Sequence, residues 1–328
     1  MRTRLGSFLA LVALLSVVVA PISSSANPKG IPNANASGYW TEERRNNAIP
    51  REFEFEVGAK EGKLVPQAKR GGSTGGTTKS GTSYWPANQQ SALVAQITGK
   101  VFFTMNGSDY VCSGSLVQDG NLNIAVVVTA AHCVWNNATS GAFATRFTFW
   151  PNYDTDFKNR VGWTASALFA PQQFTAQTSF NTTATLNDFA FAVINSSDAR
   201  VNPSSLPKLG TLSTRSSAYA FGYPQASPFN GLELVYSFGS VSTDSNSGNM
   251  TWRIASTLTG GASGGPWYSG YSNANNVGAV ASVNSYKYSS DKNSMYGPKF
   301  GLSTSQLLEQ AKLNTCQTSE VINCVIIP

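Results

Sequence analysis

The chain of 328 residues holds one histidine, His132. Any imidazole proton transfer near neutral pH therefore falls on that residue. His132 lies just after the apolar residues 124–128, inside Thr129-Ala130-Ala131-His132-Cys133. A carboxylate follows in Asn187-Asp188-Phe189-Ala190-Phe191, and a hydroxyl in Gly260-Gly261-Ala262-Ser263-Gly264-Gly265-Pro266. A serine hydroxyl is a weak nucleophile until a base takes its proton. A carboxylate behind the base fixes the tautomer of the ring and stabilises the imidazolium. The glycines around Ser263 have their own use. They allow a sharp backbone turn that aims the N–H groups of Gly261 and Ser263 at one point, where negative charge on an attacked carbonyl would develop.

Such groups need a rigid frame. From Ser83 onward the chain reads as short strands and turns. Residues 94–104, 109–118, 124–129, 143–150 and 188–194 carry β-branched and aromatic residues between Gly, Asn, Asp and Pro clusters. Residues 219–223, 232–242, 252–256, 278–285 and 299–302 continue the pattern. One helix is expected over residues 306–313, capped by Ser303 or Thr304. The sequence therefore predicts an all-β molecule.

The first 26 residues read as a secretory signal, with Arg2 and Arg4, then apolar residues 9–20, then Ser24-Ser25-Ala26. An exported, extracellular protein is expected. Residues 27–70 read as a propeptide, within which the alternating residues 51–57 suggest one strand. Lys69-Arg70 is a dibasic processing site just before a Gly/Ser/Thr-rich linker, residues 71–83. Residues 1–70 hold ten basic and six acidic residues, net +4; the remaining thirteen and eleven leave a net of +2. That balance, with no basic run, is a poor footprint for nucleic acid. No segment after the signal is long and apolar enough to suggest a membrane span. Four cysteines suit an oxidising compartment and allow three pairings.

In their order and local sequence the three motifs resemble the chymotrypsin-like (trypsin-like) serine peptidases, nearer to microbial and fungal members such as the glutamyl endopeptidase branch. The resemblance spans residues 84–313. It implies a triad of His132, Asp188 and Ser263, with Asp188 favoured over Asp154, Asp156 and Asp198 because Asn-Asp precedes alternating apolar residues. It implies two packed six-stranded antiparallel β-barrels, residues 84–200 and 201–302, then a C-terminal helix and tail at 303–328. It also implies bridges Cys112–Cys133 and Cys316–Cys324. The implied product is a secreted serine endopeptidase made as a zymogen, a monomer acting on proteins or peptides. A non-catalytic binding protein on the same fold and an esterase-like hydrolase are the alternatives. No cofactor is called for, and one histidine with bridged cysteines leaves too few ligands for a metal.

The chain departs from the pattern in places. Animal members carry an aspartate before the serine, which pairs with a new N-terminus on activation; here that place is Ala262. Lys/Arg-selective members carry an acid six residues before the serine; here it is Thr257, followed by Leu258. Without a carboxylate to pair a cation, cleavage after Lys or Arg is not expected. A neutral side chain is favoured, though hydroxyls with Lys299 close by leave an acid open. Ala281 is aligned with the pocket wall where glutamyl endopeptidases use a second histidine. Ser282, Val283 and Asn284 are aligned with the segment that pairs with substrate as an antiparallel strand. Asn106, Asn137, Asn181, Asn195 and Asn249 begin glycosylation sequons.

Overall fold

The computed structural model describes residues 36–65, 81–120, 124–137, 141–154, 161–195, 203–272 and 276–327. All of them belong to one compact unit, Ile31–Pro328. The expected signal, the dibasic pair and residues 71–80 of the linker lie outside the described residues.

Six strands of the first half close into an antiparallel ring. Around it run Ser108–Val117, Thr98–Met105, Thr145–Pro151, Trp163–Pro171, Ala190–Asn195 and Ile124–Thr129, which pairs back onto Ser108–Val117. Ile124–Thr129 is buried along its whole length rather than alternating. The reason is that both faces are covered. One fills the ring, and the C-terminal helix Leu302–Leu313 lies against Ile124–Thr129, Trp163–Pro171 and Ala190–Asn195 with Leu307, Leu308 and Ala311 buried. Each of the two leucines contributes about 1.5–3 kcal/mol relative to exposure. The helix begins earlier than expected. Thr304 supports its start from within, accepting a hydrogen bond from the Gly301 N–H at 3.3 Å.

The second half forms two sheets. Five strands run in the order Ala279–Val283, Pro266–Ser269, Ser217–Gly222, Val235–Ser240 and Thr82–Tyr84. Six run Ser242–Thr243, Trp252–Ala255, Asp291–Gly297, Tyr286–Tyr288, Phe53–Phe55 and Lys63–Leu64. Among the described residues, strand pairing closes the first ring and leaves these two sheets open to each other. A second core, with Leu258, Ile254, Trp267 and Met295, lies in this half.

Several elements differ from the sequence expectation. Trp163–Pro171 went unpredicted because four of its nine residues are small (three Ala and one Ser) rather than β-branched. It is a strand because Ala190–Asn195, Thr145–Pro151 and Ile322–Ile326 all pair with it. The polar Asp291–Gly297 is a strand for the same reason, held by Trp252–Ala255. Residues 94–97 form part of a short helix, Leu93–Ile97, before the first ring strand. The strand expected at 299–302 is the entry to the C-terminal helix instead.

Residues 36–65 are integral to this unit. Trp40 is buried against Phe102, and its indole N–H donates to the Arg146 carbonyl at 2.8 Å. The helix Glu42–Asn47 is capped by Thr41. Arg45 lies over the Trp150 ring at 4.2 Å. The chain then reaches Ile49–Pro50, which pairs in parallel with Tyr110–Val111, and Phe53–Phe55, which pairs in parallel with Tyr286–Tyr288.

Candidate active site

The strand Ile124–Thr129 ends in a single 3-10 turn, Ala131–Cys133, which carries His132. Two restraints hold that turn. Cys133 is bridged to Cys112 on the neighbouring strand, with an S–S distance of 2.03 Å. Asp188 bonds it twice: Oδ1 accepts the His132 backbone N–H at 2.8 Å, and Oδ2 lies 2.7 Å from Nδ1. An ionised carboxylate only accepts, so Nδ1 carries a proton. Asp188 lies between the helix Thr182–Leu186, capped by the Asn181 side chain, and the strand Ala190–Asn195. Its Oδ2 also accepts the Ser285 hydroxyl at 2.5 Å. Both His132 and Asp188 are fully buried. The second bridge, Cys316–Cys324, ties the chain after the C-terminal helix to the edge strand Ile322–Ile326.

The loop carrying Ser263 is held from behind at four consecutive carbonyls. Gly260 O accepts from the Gln225 and Ala226 N–H groups, and Gly261 O from the Ser113 hydroxyl. Ala262 O accepts from the Asn284 amide at 2.9 Å, and Ser263 O from the Ser113 N–H at 2.7 Å. The N–H groups of Gly261 and Ser263 find no acceptor among the described residues. Gly261 has φ of +100°, and an added Cβ would lie 2.9 Å from both the Gln225 nitrogen and the Tyr223 oxygen. At Gly264, with φ of +79°, a Cβ would lie 2.1 Å from the Thr129 hydroxyl. The glycine pattern is thus required by backbone conformation and by close approach.

Four of the expected substrate contacts, Ser282, Val283, Asn284 and Leu258, are fully buried. Ser282 is fully buried and donates to the Pro298 carbonyl, and Val283 lies in the core. Asn284 is fully buried; its amide donates to Phe221 O and Ala262 O and accepts from Trp267 Nε1. These three residues face the interior; Ser285 follows with its hydroxyl on Asp188, and Tyr286–Tyr288 lies beside the site, paired with Phe53–Phe55. The strand Ala279–Val283 runs into the core, and Asn284 at its exit is still fully buried. Ser285 signalled itself only as one serine among many. Leu258 also belongs to the second core rather than to a cleft. Thr257 is half-buried, its N–H bonded to the Thr82 hydroxyl. Ala281 is fully buried, and Lys299 lies away over Trp252, donating to Asn249 O. Of the sequons, Asn106 and Asn249 are exposed on turns. The Asn137 amide nitrogen is committed to the Phe174 and Gln177 carbonyls, which leaves no room for a glycan there.

Residues 48–55 cover the site. His132 Nε2 lies 3.1 Å from the Arg51 carbonyl oxygen, and Arg51 Nε donates back to the His132 carbonyl at 2.7 Å. Phe53 stacks on Phe180 at 4.2 Å and sets its ring at 5.4 Å from the imidazole. The Gln225 amide donates to Ala48 O. Glu52 is buried against Gly260, whose N–H it engages; burial pushes its carboxyl up to about 7, opposed by Lys287. Lys287 is buried in turn and pushed down to about 8. Burial also lowers Arg51 to about 10. Cys112, His132 and Cys133 bring potential metal-ligand atoms within 4.8 Å of one another, but the two sulfurs share one covalent bond.

Comparison with known proteins agrees with this geometry. The family model for a trypsin-like peptidase domain matches residues 112–274. The protease Anisep from Arthrobacter nicotinovorans is 36% identical, with a TM-score of 0.57 over 67% of this chain and 96% of its own. A thermostable serine protease, AL20, from an extremophilic microorganism is 32% identical, with a TM-score of 0.57 over 67% and 99%. A Glu endopeptidase shares the fold at 16% identity, with a TM-score of 0.52 over 72% and 98%. No curated protein matches the chain. With one histidine bonded to one carboxylate behind a glycine-rich serine loop, and with relatives of this identity matched over nearly their whole length, the chain belongs to the trypsin-like peptidase family and is a serine endopeptidase.

Proposed function

We propose that this endopeptidase cleaves through Ser263, His132 and Asp188. His132 Nε2 takes the Ser263 proton as Oγ attacks the scissile carbonyl, and the same proton passes to the leaving amine. Asp188 holds Nδ1–H and stabilises the imidazolium; Ser285 fixes the carboxylate in turn. The tetrahedral oxyanion is received by the Gly261 and Ser263 N–H groups. The acyl-enzyme is then hydrolysed by water, with His132 acting again as base. The single observation that carries this reading is the pair of hydrogen bonds between Asp188 and His132, to the backbone N–H at 2.8 Å and to Nδ1 at 2.7 Å. We read the two sheets of the second half as the counterpart of the first barrel, with the site between the halves. Removal of a secretory signal, export, and a prosegment at residues 27–70 complete the proposal. Two disulfides suit that route, and no helix among the described residues is long and apolar enough to cross a membrane.

For specificity, Thr257 in place of an acid argues against cleavage after Lys or Arg. A peptide-library digest checks this: cleavage mainly after Lys or Arg would refute it. Fluorophosphonate labelling checks the mechanism. Secreted, processed protein should label at Ser263, and Ser263→Ala and His132→Ala should each remove labelling and casein digestion.

A further inference from the structure

Residues 48–55 lie in the cleft with their chain direction reversed. The resemblance implies that a substrate delivering its carbonyl to Ser263 pairs antiparallel with the strand beside the site, which we read as Ser285-Tyr286-Lys287 because Ser285 bonds Asp188. The Phe53–Phe55 strand pairs on that strand in parallel, with Phe53 opposite Tyr286 and Phe55 opposite Tyr288. Ile49–Pro50 pairs in parallel again on the other side of the histidine, with Tyr110 and Val111. Both pairings give one direction, so the reversal extends through the whole cleft.

The reversal has a chemical result at the centre. In a productive complex the scissile carbonyl oxygen points at the Gly261 and Ser263 N–H groups and Nε2 faces the serine hydroxyl. Here the Arg51 carbonyl oxygen points at Nε2, at 3.1 Å. A carbonyl oxygen accepts and does not donate, and Asp188 likewise accepts at Nδ1. The Nε2 edge of the ring, which would take the Ser263 proton, is therefore occupied by the backbone of the segment itself. The peptide bond nearest the base is thus presented with its oxygen on Nε2 rather than on the oxyanion donors.

Resting on the peptidase reading above, we infer that residues 46–65 are a reverse-bound inhibitor of this enzyme's own cleft, which it does not cleave. The segment is therefore transferable: once severed it binds and leaves reversibly. The contacts that hold it are specific. Phe53 stacks on Phe180 and meets His132 edge-on, Arg51 bonds the His132 carbonyl and Asn136, and Glu54 pairs with Lys292 at 2.5 Å. The partner this cleft fits is an extended peptide of the pattern Arg-Glu-Phe-Glu-Phe, read from primed to unprimed side.

The test begins with full-length protein cut after Arg70 in the folded state by a Lys-Arg-cleaving protease. Hydrolysis of a peptide substrate and fluorophosphonate labelling are followed on dilution. Activity should rise on dilution, and a synthetic peptide of residues 46–65 should suppress it again, competitively, and be recovered intact by mass spectrometry. A peptide with Phe53→Ala should inhibit at least tenfold less well. In the uncut full chain, Phe53→Ala and, separately, the surface change Glu54→Lys opposite Lys292 should each speed labelling. Labelling without inhibition by the peptide, or cleavage of the peptide at residues 50–53, would overturn the inference and leave the peptidase reading standing. No labelling of the cut, folded and diluted protein would overturn both.

Discussion

Asn284 spends all of its hydrogen-bonding capacity inside the molecule. Its amide nitrogen serves Phe221 O and Ala262 O, its oxygen receives Trp267 Nε1, and its backbone exchanges bonds with Gly264 and Gly265. The loop that aims the Gly261 and Ser263 N–H groups is thereby braced from the core. Relatives that carry an aspartate before the serine rely on an inserted N-terminus for this; here Ala262 lies buried in the second core instead. Replacing Asn284 by Ala strands the Trp267 indole N–H, at about 1–3 kcal/mol when buried, and removes one donor each from Phe221 O and Ala262 O. The variant should melt lower and should lose kcat roughly tenfold or more while KM changes little; a loss confined to KM would contradict the bracing role. Asp188→Asn is expected to lower kcat by about 10⁴-fold, because the amide favours the wrong tautomer of His132. Steady-state kinetics on the processed protein measure both.

At the level of elements, the bridged turn and the docked segment are the parts whose strength can be read directly. Cys112 and Cys133 are 21 residues apart, and closing such a loop contributes about 3 kcal/mol through the unfolded chain. Replacing both by Ser should lower the denaturant midpoint accordingly. The docked segment should release with rising pH. Glu52 moves from an ordinary value of 4.5 to about 7 when buried, facing Lys287, Glu54, Lys292 and the Gly260 N–H. A raised value means that docking takes up a proton. Its contribution is complete below pH 4.5 and is lost as pH rises towards 7, by up to about tenfold per unit. Lys287, moved from 10.5 to about 8, acts oppositely and at higher pH: its contribution is complete above 10.5 and falls as pH drops towards 8. Titration of the residue 46–65 peptide into Ser263→Ala enzyme between pH 5 and 7 should show weakening affinity, and Glu52→Gln should flatten the slope. A pH-independent affinity for the unaltered peptide would remove Glu52 from the account.

Over the whole molecule, two properties follow from the way residues 36–65 are built in. Trp40, Phe53 and Phe55 belong to the main core, so severing and removing the segment should lower the melting temperature of what remains. Activity, by contrast, should not depend on where the mature chain begins. With no acid at Ala262 to receive an N-terminus, processed forms starting at residue 71 or 76 should share the same kcat within about twofold. A strict requirement for one N-terminal residue would show that insertion drives activation after all.

The sequence by itself picked out the candidate groups: one histidine, an aspartate before alternating apolar residues, a serine among glycines, and cysteines whose pairing the structure then makes. These were legible because catalytic geometry tolerates few residue types and the glycines answer to local backbone demands. The tertiary structure decided what depends on register and on distant neighbours. Ser282, expected to face substrate, donates to Pro298 O in the interior, while Ser285, three residues on, donates to Asp188. Trp163–Pro171 is a strand because of its partners, not its composition. The direction in which residues 48–55 cross the site is invisible in a one-dimensional pattern, since alternation reads the same forwards and backwards. Only pairing in space distinguishes a strand that can be cut from one that blocks the base.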